Sequence, residues 1–123
     1  MTTTPHEIVV QEDAVRGGHV NNVKYLEFLE RARQPWYQAF GQVGIRSFMA
    51  HLSASYKKEA FLGDRLQVHT ALIRVGNTSF VLQHTIVNQN EELVLEAEAT
   101  LVSIDAKTGE KIRVPDEIRR LAR

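Results

Sequence analysis

The chain has 123 residues, 43% of them hydrophobic and 24% charged, and its 15 basic residues balance its 15 acidic residues. This length fits one domain with a sizeable core, so we expect a single domain over residues 1–123. A net charge of zero argues against nucleic-acid and membrane-surface partners, which usually select a basic excess. The lack of cysteine excludes disulfides, thiolate nucleophiles and zinc-thiolate sites.

The first 20 residues predict a strand followed by a glycine turn. Residues 1–10 show no signal-peptide pattern, and no apolar run reaches the roughly 20 residues that span a bilayer, so we expect a cytoplasmic protein. Residues 6–12 carry a β-branched apolar centre that predicts a strand. The Gly17-Gly18 pair then predicts a turn with backbone angles that few other residues adopt.

The segment 23–40 predicts a long helix, capped by Asn21 or Asn22. Its apolar residues recur mostly at intervals of three or four, so one stripe should face a core. This stripe comprises Val23, Leu26, Leu29, Ala32, Trp36 and Phe40, and it is widened by Tyr25 and Phe28. Pro35 lies inside the pattern and is expected to kink or split the helix, because it lacks a backbone donor.

The rest of the chain predicts strands separated by short turns. The expected strands cover residues 47–60, 65–75, 78–88 and 93–104, and a short helix after Pro115 should end at Arg123. Strands joined by short turns favour an antiparallel meander, and the simplest way to bury its apolar face is to wrap the sheet around the helix. We therefore expect an α+β fold whose exposed sheet edges are covered in a dimer or a larger oligomer.

The segment 13–22 (DAVRGGHVNN) places a carboxylate, a glycine turn, a histidine and a helix start within ten residues. A helix start offers unpaired backbone N–H groups that can stabilise an oxyanion. Asp13 could attack an ester-like carbonyl or take a proton from water. On the local pattern alone, structural roles are at least as common: Asp13 as a turn residue, His19 as a hydrogen-bonding residue, and the two asparagines as caps.

Residues 18–33 (GHVNNVKYLEFLERAR) resemble the corresponding motif of the 4-hydroxybenzoyl-CoA thioesterase family, which has a hotdog fold. The segment 56–64 is similar to that family's Tyr-x-x-x-(Pro or Ala)-x-x-Gly-Asp turn. The segments 105–109 and 114–115 resemble its closing elements. The resemblance implies a hotdog fold, an antiparallel sheet wrapped around one central helix, and thioester chemistry.

Carried over residue by residue, the resemblance implies a site at the start of the helix. Asp13, six residues before His19, takes the place of the catalytic carboxylate. His19 flanks the site, and the backbone N–H near Val20 polarises the thioester carbonyl. Gly18 allows close approach of the substrate, and Asn22 helps to hold the loop.

Two positions depart from the family pattern. The family's second motif aspartate falls at Val15, and the position often occupied by proline is Ala60. That second aspartate usually supports the loop, so the resemblance still implies that Asp13 carries the chemistry.

The remaining charged residues have more ordinary expected roles. Some related hotdog thioesterases take their catalytic carboxylate from the helix, but Glu27 and Glu30 are expected to form ion pairs with Arg31 and Arg33 or to contact a neighbouring subunit. Glu30 and Arg33 are expected to form a structural pair. Lys57, Lys58 and Arg74 are candidates to contact the coenzyme A phosphates, although a solvated surface role fits each equally well. His51, His69 and His84 lack metal-ligand spacing, so we expect no metal.

The sequence therefore predicts an acyl-CoA thioesterase without a cofactor, coenzyme A being part of its substrate. The resemblance makes a homodimer that assembles into a homotetramer the expected oligomer. Two alternatives remain: a hotdog hydratase or dehydratase acting on acyl thioesters, and a non-catalytic acyl-CoA-binding protein. The acyl group and the choice between coenzyme A and an acyl carrier protein stay open.

Overall fold

The structure, a computed structural model, describes residues 5–122. These residues form seven strands, two α-helices and one 3₁₀ turn. The strands are β1 (His6–Val9), β2 (Val15–Arg16), β3 (His19–Val20), β4 (Ile45–Tyr56), β5 (Arg65–Val75), β6 (Ser79–Val87) and β7 (Leu93–Asp105). The α-helices are α1 (Asn22–Gln42) and α2 (Asp116–Arg119), and the 3₁₀ turn covers Glu12–Ala14.

Five of the strands form one antiparallel sheet in the order β1-β5-β6-β7-β4. Strands β5, β6 and β7 follow the predicted meander. The prediction is wrong for β4, which lies beside β7 and not beside β5. A turn from β4 directly into β5 is not formed because residues 57–64 cross to the start of α1, where they make contacts described below.

The sheet buries one face against α1 because its strands alternate apolar and polar residues. Along β7, Leu95, Ala97 and Ala99 are buried, whereas Glu96 is exposed. This alternation was predicted from the sequence and is confirmed. Small residues at 97 and 99 leave room for the helix to pack closely.

Helix α1 begins at Asn22, with Asn21 as its N-cap residue, and runs through Pro35 to Gln42. The predicted split at Pro35 is therefore wrong. Pro35 is exposed, so the Arg31 carbonyl that loses its helical donor can be hydrated. The N-cap also differs from expectation, because Asn21 makes no capping hydrogen bond through its side chain.

At its N-terminal end, α1 buries only the Tyr25 and Phe28 side of the predicted stripe. Val23 is 58% exposed and Leu26 is 36% exposed, while Tyr25 and Phe28 are buried. From Leu29 onward the predicted positions are buried. The aromatic residues take the inner face of the first turns because they fill the space over the sheet.

A polar group lies buried in the core between α1 and the sheet. Arg33 is 5% exposed, and it donates through Nε to the Tyr37 hydroxyl at 2.7 Å and through Nη1 to His84 Nε2 at 3.1 Å. The other His84 nitrogen, Nδ1, lies 2.9 Å from Thr70 Oγ1. The expected Glu30–Arg33 pair is wrong, since Arg33 turns inward while Glu30 is exposed.

This arrangement keeps His84 neutral. Its Nε2 accepts a hydrogen bond from a guanidinium, so the ring proton belongs on Nδ1, facing Thr70. Burial, and secondarily the charge of Arg33, lowers the pKa of His84 to about 3.

Within residues 5–122, no helix is long and apolar enough to cross a membrane.

The lowered pKa of His84 predicts acid-sensitive stability. In the unfolded chain His84 binds a proton near pH 6.5, whereas in the folded chain it stays neutral down to about pH 3. Stability that is present above pH 6.5 is therefore lost as the pH falls towards 3. Between pH 7.5 and 5.5 the free energy of unfolding should drop by about 1.4 kcal/mol more in the wild type than in His84→Gln, which offers an acceptor but does not titrate. Urea unfolding at both pH values measures the difference. An equal drop in the free energy of unfolding in the two proteins would contradict a neutral, buried His84.

Candidate functional site

The segment before α1 folds back on itself so that its two ends meet. The backbone N–H of Asn21 donates to the Ala14 carbonyl at 2.9 Å, and Val15 pairs with Val20 in a two-residue hairpin. Gly17 and Gly18 close this hairpin with φ of 66° and 88°, which confirms the predicted turn and explains the glycines. The 3₁₀ turn that carries Asp13 is thereby held beside the start of the helix.

The Asp13 carboxylate projects towards the first turn of α1. Its Oδ2 lies 3.7 Å from Nζ of Lys24, the third residue of the helix. The Asp13 side chain is 75% exposed, so in this chain it faces solvent rather than an enclosed cavity. Asp13 therefore contacts the first turn of α1 through Lys24, and it lies outside the lining of the cleft described below.

Val20 does not offer the free N–H that the sequence suggested. Its N–H donates to the Ala60 carbonyl at 2.8 Å. The Ala60 N–H in turn donates to the Tyr25 hydroxyl at 3.0 Å, and both Ala60 and Tyr25 are buried. The expected oxyanion role of the Val20 N–H is therefore not supported, because this donor is consumed in fixing residues 57–64 against the helix start.

The donors that remain at the helix start belong to the next two residues. The N–H groups of Asn22 and Val23 have no hydrogen-bond acceptor among residues 5–122, whereas the Lys24 N–H donates to the Asn21 carbonyl at 2.9 Å. Unpaired N–H groups of this kind carry the positive end of the helix dipole. They can hold a carbonyl oxygen as it gains negative charge.

A cleft of about 250 Å³ opens beside this helix start. His19, Val20 and Asn22 line it on the helix side, together with Tyr25 and Tyr56. His19 Nδ1 lies 3.2 Å from the Val20 carbonyl, and the Tyr56 hydroxyl donates to the Asn22 carbonyl at 3.4 Å. Gly18 lies in the adjoining hairpin. A Cβ placed on Gly18 would have no neighbouring atom within 4 Å, so the space around it is open.

Two of the three cations proposed for phosphate contact lie at this cleft. Lys57 and Lys58 line it together with His19, and Lys58 forms a 2.8 Å ion pair with Glu92. Arg74 does not belong to the lining. It sits on β5 and forms a 2.8 Å ion pair with Glu98 across the outer face of the sheet, so it lies away from this cleft.

Sequence reasoning missed three contributors to this region. Tyr25 and Tyr56 occur in the motifs but carry no local signal for a cleft, and their rings meet edge to face at a centroid distance of 5.4 Å. Lys24 was overlooked because its proximity to Asp13 depends on the hairpin, not on sequence spacing. A larger cleft of about 750 Å³ lies by β5 and β6 and contains none of the predicted site residues.

No group of three or more His, Cys, Asp or Glu side chains in the described part of the chain is arranged to hold a metal ion. The arrangement at the helix start instead combines an ionisable acid with backbone donors. Such a pair can polarise a carbonyl and supply or activate a nucleophile.

The fold is shared with a solved structure. The chain superposes on YbaW, a probable thioesterase from Escherichia coli, with a TM-score of 0.85 and 28% sequence identity, covering 96% of this chain and 95% of that one. The fold and the site together define a hotdog-fold thioester hydrolase.

Sequence comparison leads to the same class. The thioesterase-like superfamily profile matches residues 9–121. The long-chain acyl-CoA thioesterase FadM of Escherichia coli K12 is 32% identical over 110 residues, 82% of each chain. The acyl-CoA thioester hydrolase YbgC of Escherichia coli O157:H7 is 31% identical over 104 residues, 79% of this chain and 78% of YbgC. The chain therefore belongs to the thioesterase-like superfamily, and the predicted α+β hotdog fold is confirmed.

The Tyr25–Ala60 hydrogen bond yields a prediction about the integrity of this site. Tyr25→Phe should lower the free energy of unfolding by about 1 to 3 kcal/mol, because it leaves the buried Ala60 N–H without an acceptor. The double variant Tyr25→Phe/Ala60→Pro also removes the N–H of residue 60 and should recover most of that loss. The corresponding turn of the 4-hydroxybenzoyl-CoA thioesterase family has proline or alanine at this position. Urea unfolding tests both, and a Tyr25→Phe variant as stable as the wild type would refute the proposed bond.

Proposed function

We propose that this enzyme hydrolyses acyl-CoA or acyl-carrier thioesters to a free acid and a thiol, with Asp13 as the catalytic carboxylate. The observation that carries the proposal is the position of the Asp13 carboxylate beside the first turn of α1, where the Asn22 and Val23 N–H groups are unpaired. The names of the relatives, an acyl-CoA thioesterase and an acyl-CoA thioester hydrolase, support the substrate class.

The chemistry follows from the groups at the helix start. The substrate carbonyl oxygen accepts hydrogen bonds from the N–H groups of Asn22 and Val23, which stabilises the charge that develops there. Asp13 either attacks the carbonyl carbon, expelling the thiolate and leaving an anhydride for water to open, or removes a proton from an attacking water. Both routes consume one water and release one carboxylic acid and one thiol.

Lys57 and Lys58 provide the positive charge that the nucleotide end of the substrate requires. Both line the cleft that His19 also lines. Phosphate groups bind such exposed ammonium groups through charge-assisted hydrogen bonds. His19 and Asn22, which share this lining, would contact the part of the substrate between the phosphates and the thioester.

The proposed assembly is a homodimer that forms a homotetramer. Strand β4 supports it: with 12 residues at the edge of the sheet, it presents a long row of unpaired backbone groups. Exposed Phe48 and Tyr56 on the same strand add apolar surface that a second copy would cover. We further propose a cytoplasmic location, with which a chain lacking cysteine is compatible.

Replacing the acid should abolish turnover without disturbing the fold. Asp13→Asn is expected to lower kcat by about 10² to 10⁴-fold, because the amide neither attacks nor accepts a proton. Glu12→Gln is the matched control, since Glu12 is an exposed carboxylate in the same 3₁₀ turn and should keep wild-type activity. Thiol release from acetyl-, octanoyl- and palmitoyl-CoA, followed with a colorimetric thiol reagent, measures the effect.

The same assay separates the proposal from its rivals. Undiminished turnover in Asp13→Asn would overturn the assignment of the acid. Binding of these esters without any thiol release by the wild type would identify an acyl-CoA-binding protein, and hydration of an enoyl-CoA without thiol release would identify a hydratase.

Charge removal at the cleft should affect binding of the nucleotide end alone. Lys57→Ala/Lys58→Ala is expected to raise KM for an acyl-CoA by about tenfold and to leave KM for the acyl-N-acetylcysteamine analogue, which has no phosphates, unchanged. Arg74→Ala removes a cation outside the cleft and should change neither value. An equal rise for both substrates would contradict a phosphate contact.

A further inference from the structure

Lys24 holds a position that no motif assigned. Its ammonium lies 3.7 Å from Asp13 Oδ2 and 2.9 Å from Glu27 Oε2, so it bridges two carboxylates. Its side chain is 25% exposed, compared with 75% for Asp13 and 45% for Glu27. Of these three side chains, Lys24 is thus the least exposed to solvent and Asp13 the most exposed.

The Asp13 carboxylate needs such a partner to be oriented. Its backbone is fixed through the Ala14–Asn21 hydrogen bond, but no hydrogen bond fixes its side chain among residues 5–122, where Lys24 provides its ion pair. A reacting group with free side-chain rotation spends little time aligned with its target, and a displacement of about 1 Å can cost about 100-fold in rate. An ion pair to Oδ2 restricts that rotation and leaves Oδ1 for the reaction.

Lys24 is itself held in place by its neighbour one turn along the helix. The side-chain hydrogen bond to Glu27 raises the pKa of Lys24 above its ordinary value, so the ammonium stays charged at neutral pH. Glu27 thereby holds the Lys24 ammonium beside Asp13.

We propose that Lys24 is a positioning residue that holds the Asp13 carboxylate at the start of α1 for thioester hydrolysis. This proposal rests on the proposed function and adds to it a residue that acts through Asp13 and not on the substrate. An ordinary surface ion pair, by contrast, would contribute little to stability and nothing to turnover.

The experiment compares Lys24→Met and Lys24→Arg with the wild type, using octanoyl-CoA and thiol detection. Lys24→Met should lower kcat by about tenfold or more with KM unchanged, and Lys24→Arg should recover most of the loss because it restores the charge. Arg113→Met is the matched control: it removes an exposed ion pair of the same spacing, Arg113–Asp116, at the far end of the chain and should keep wild-type kcat.

A double variant shows whether Lys24 acts through Asp13. In the Asp13→Asn background, Lys24→Met should cause no further loss of the residual rate, because two groups that act as a unit are not additive. Independent, multiplying losses would overturn the proposal, as would unchanged kcat in Lys24→Met or a rise in KM alone. Loss of activity in Asp13→Asn with full activity in Lys24→Met would disprove a positioning role for Lys24 and leave the proposed function intact.

Glu27 provides a last discriminating measurement. Glu27→Gln removes the tether but leaves Lys24 beside Asp13, so its loss of kcat should be smaller than that of Lys24→Met. A larger loss in Glu27→Gln would contradict the proposal, because the helix carboxylate would then be the group that Lys24 serves.

Discussion

Two backbone hydrogen bonds fix the residues that lead into α1, and the candidate site depends on them. Val20 donates to Ala60, and Asn21 donates to Ala14, so the chain before the helix is attached on one side to residues 57–64 and on the other to the turn that carries Asp13. Tyr25 completes the attachment by accepting the Ala60 N–H. Because these donors are consumed, the unpaired ones are displaced to Asn22 and Val23, and the acid stands beside them.

The same constraint gathers charged side chains around the helix start of a chain whose net charge is zero. The attachment brings Lys57 and Lys58 to the cleft together with Glu59. Lys58 forms an ion pair with Glu92, and Lys24 forms ion pairs with Asp13 and Glu27. The unpaired N–H groups at the helix start carry the positive end of the helix dipole. Farther along α1, Arg33 is buried against neutral His84. The positive charge of Arg33 is therefore kept inside the core, away from solvent.

Much of the fold could be predicted from the sequence because its determinants are local. The alternation in β7, the bounds of β5 and the glycine hairpin all follow from periodicity or from the backbone freedom of glycine. The wrapping of the sheet around the helix followed from the need to bury two apolar surfaces, and the resemblance to the hotdog motif implied the same arrangement.

The errors concern features that depend on packing between distant segments. Periodicity could not tell that Val23 and Leu26 would lie outside the buried face, nor that Arg33 would turn inward to meet a histidine 51 residues away. Position in the motif suggested the Val20 N–H as an oxyanion donor, but only the path of residues 57–64 shows that Ala60 occupies it. Lys24 was missed for the same reason, since its contact with Asp13 exists only once the hairpin is folded.

The central claim is that Asp13 and the first N–H groups of α1 act on one carbonyl. A crystal structure with an inert acyl-CoA analogue, in which a methylene group separates the sulfur from the carbonyl, tests it most directly. The account predicts the carbonyl oxygen about 3 Å from the Asn22 or Val23 nitrogen, with the Asp13 carboxylate about 3 to 3.5 Å from the carbonyl carbon or joined to it through one water. A carbonyl bound elsewhere, or bound at the helix start with Asp13 turned away, would contradict it.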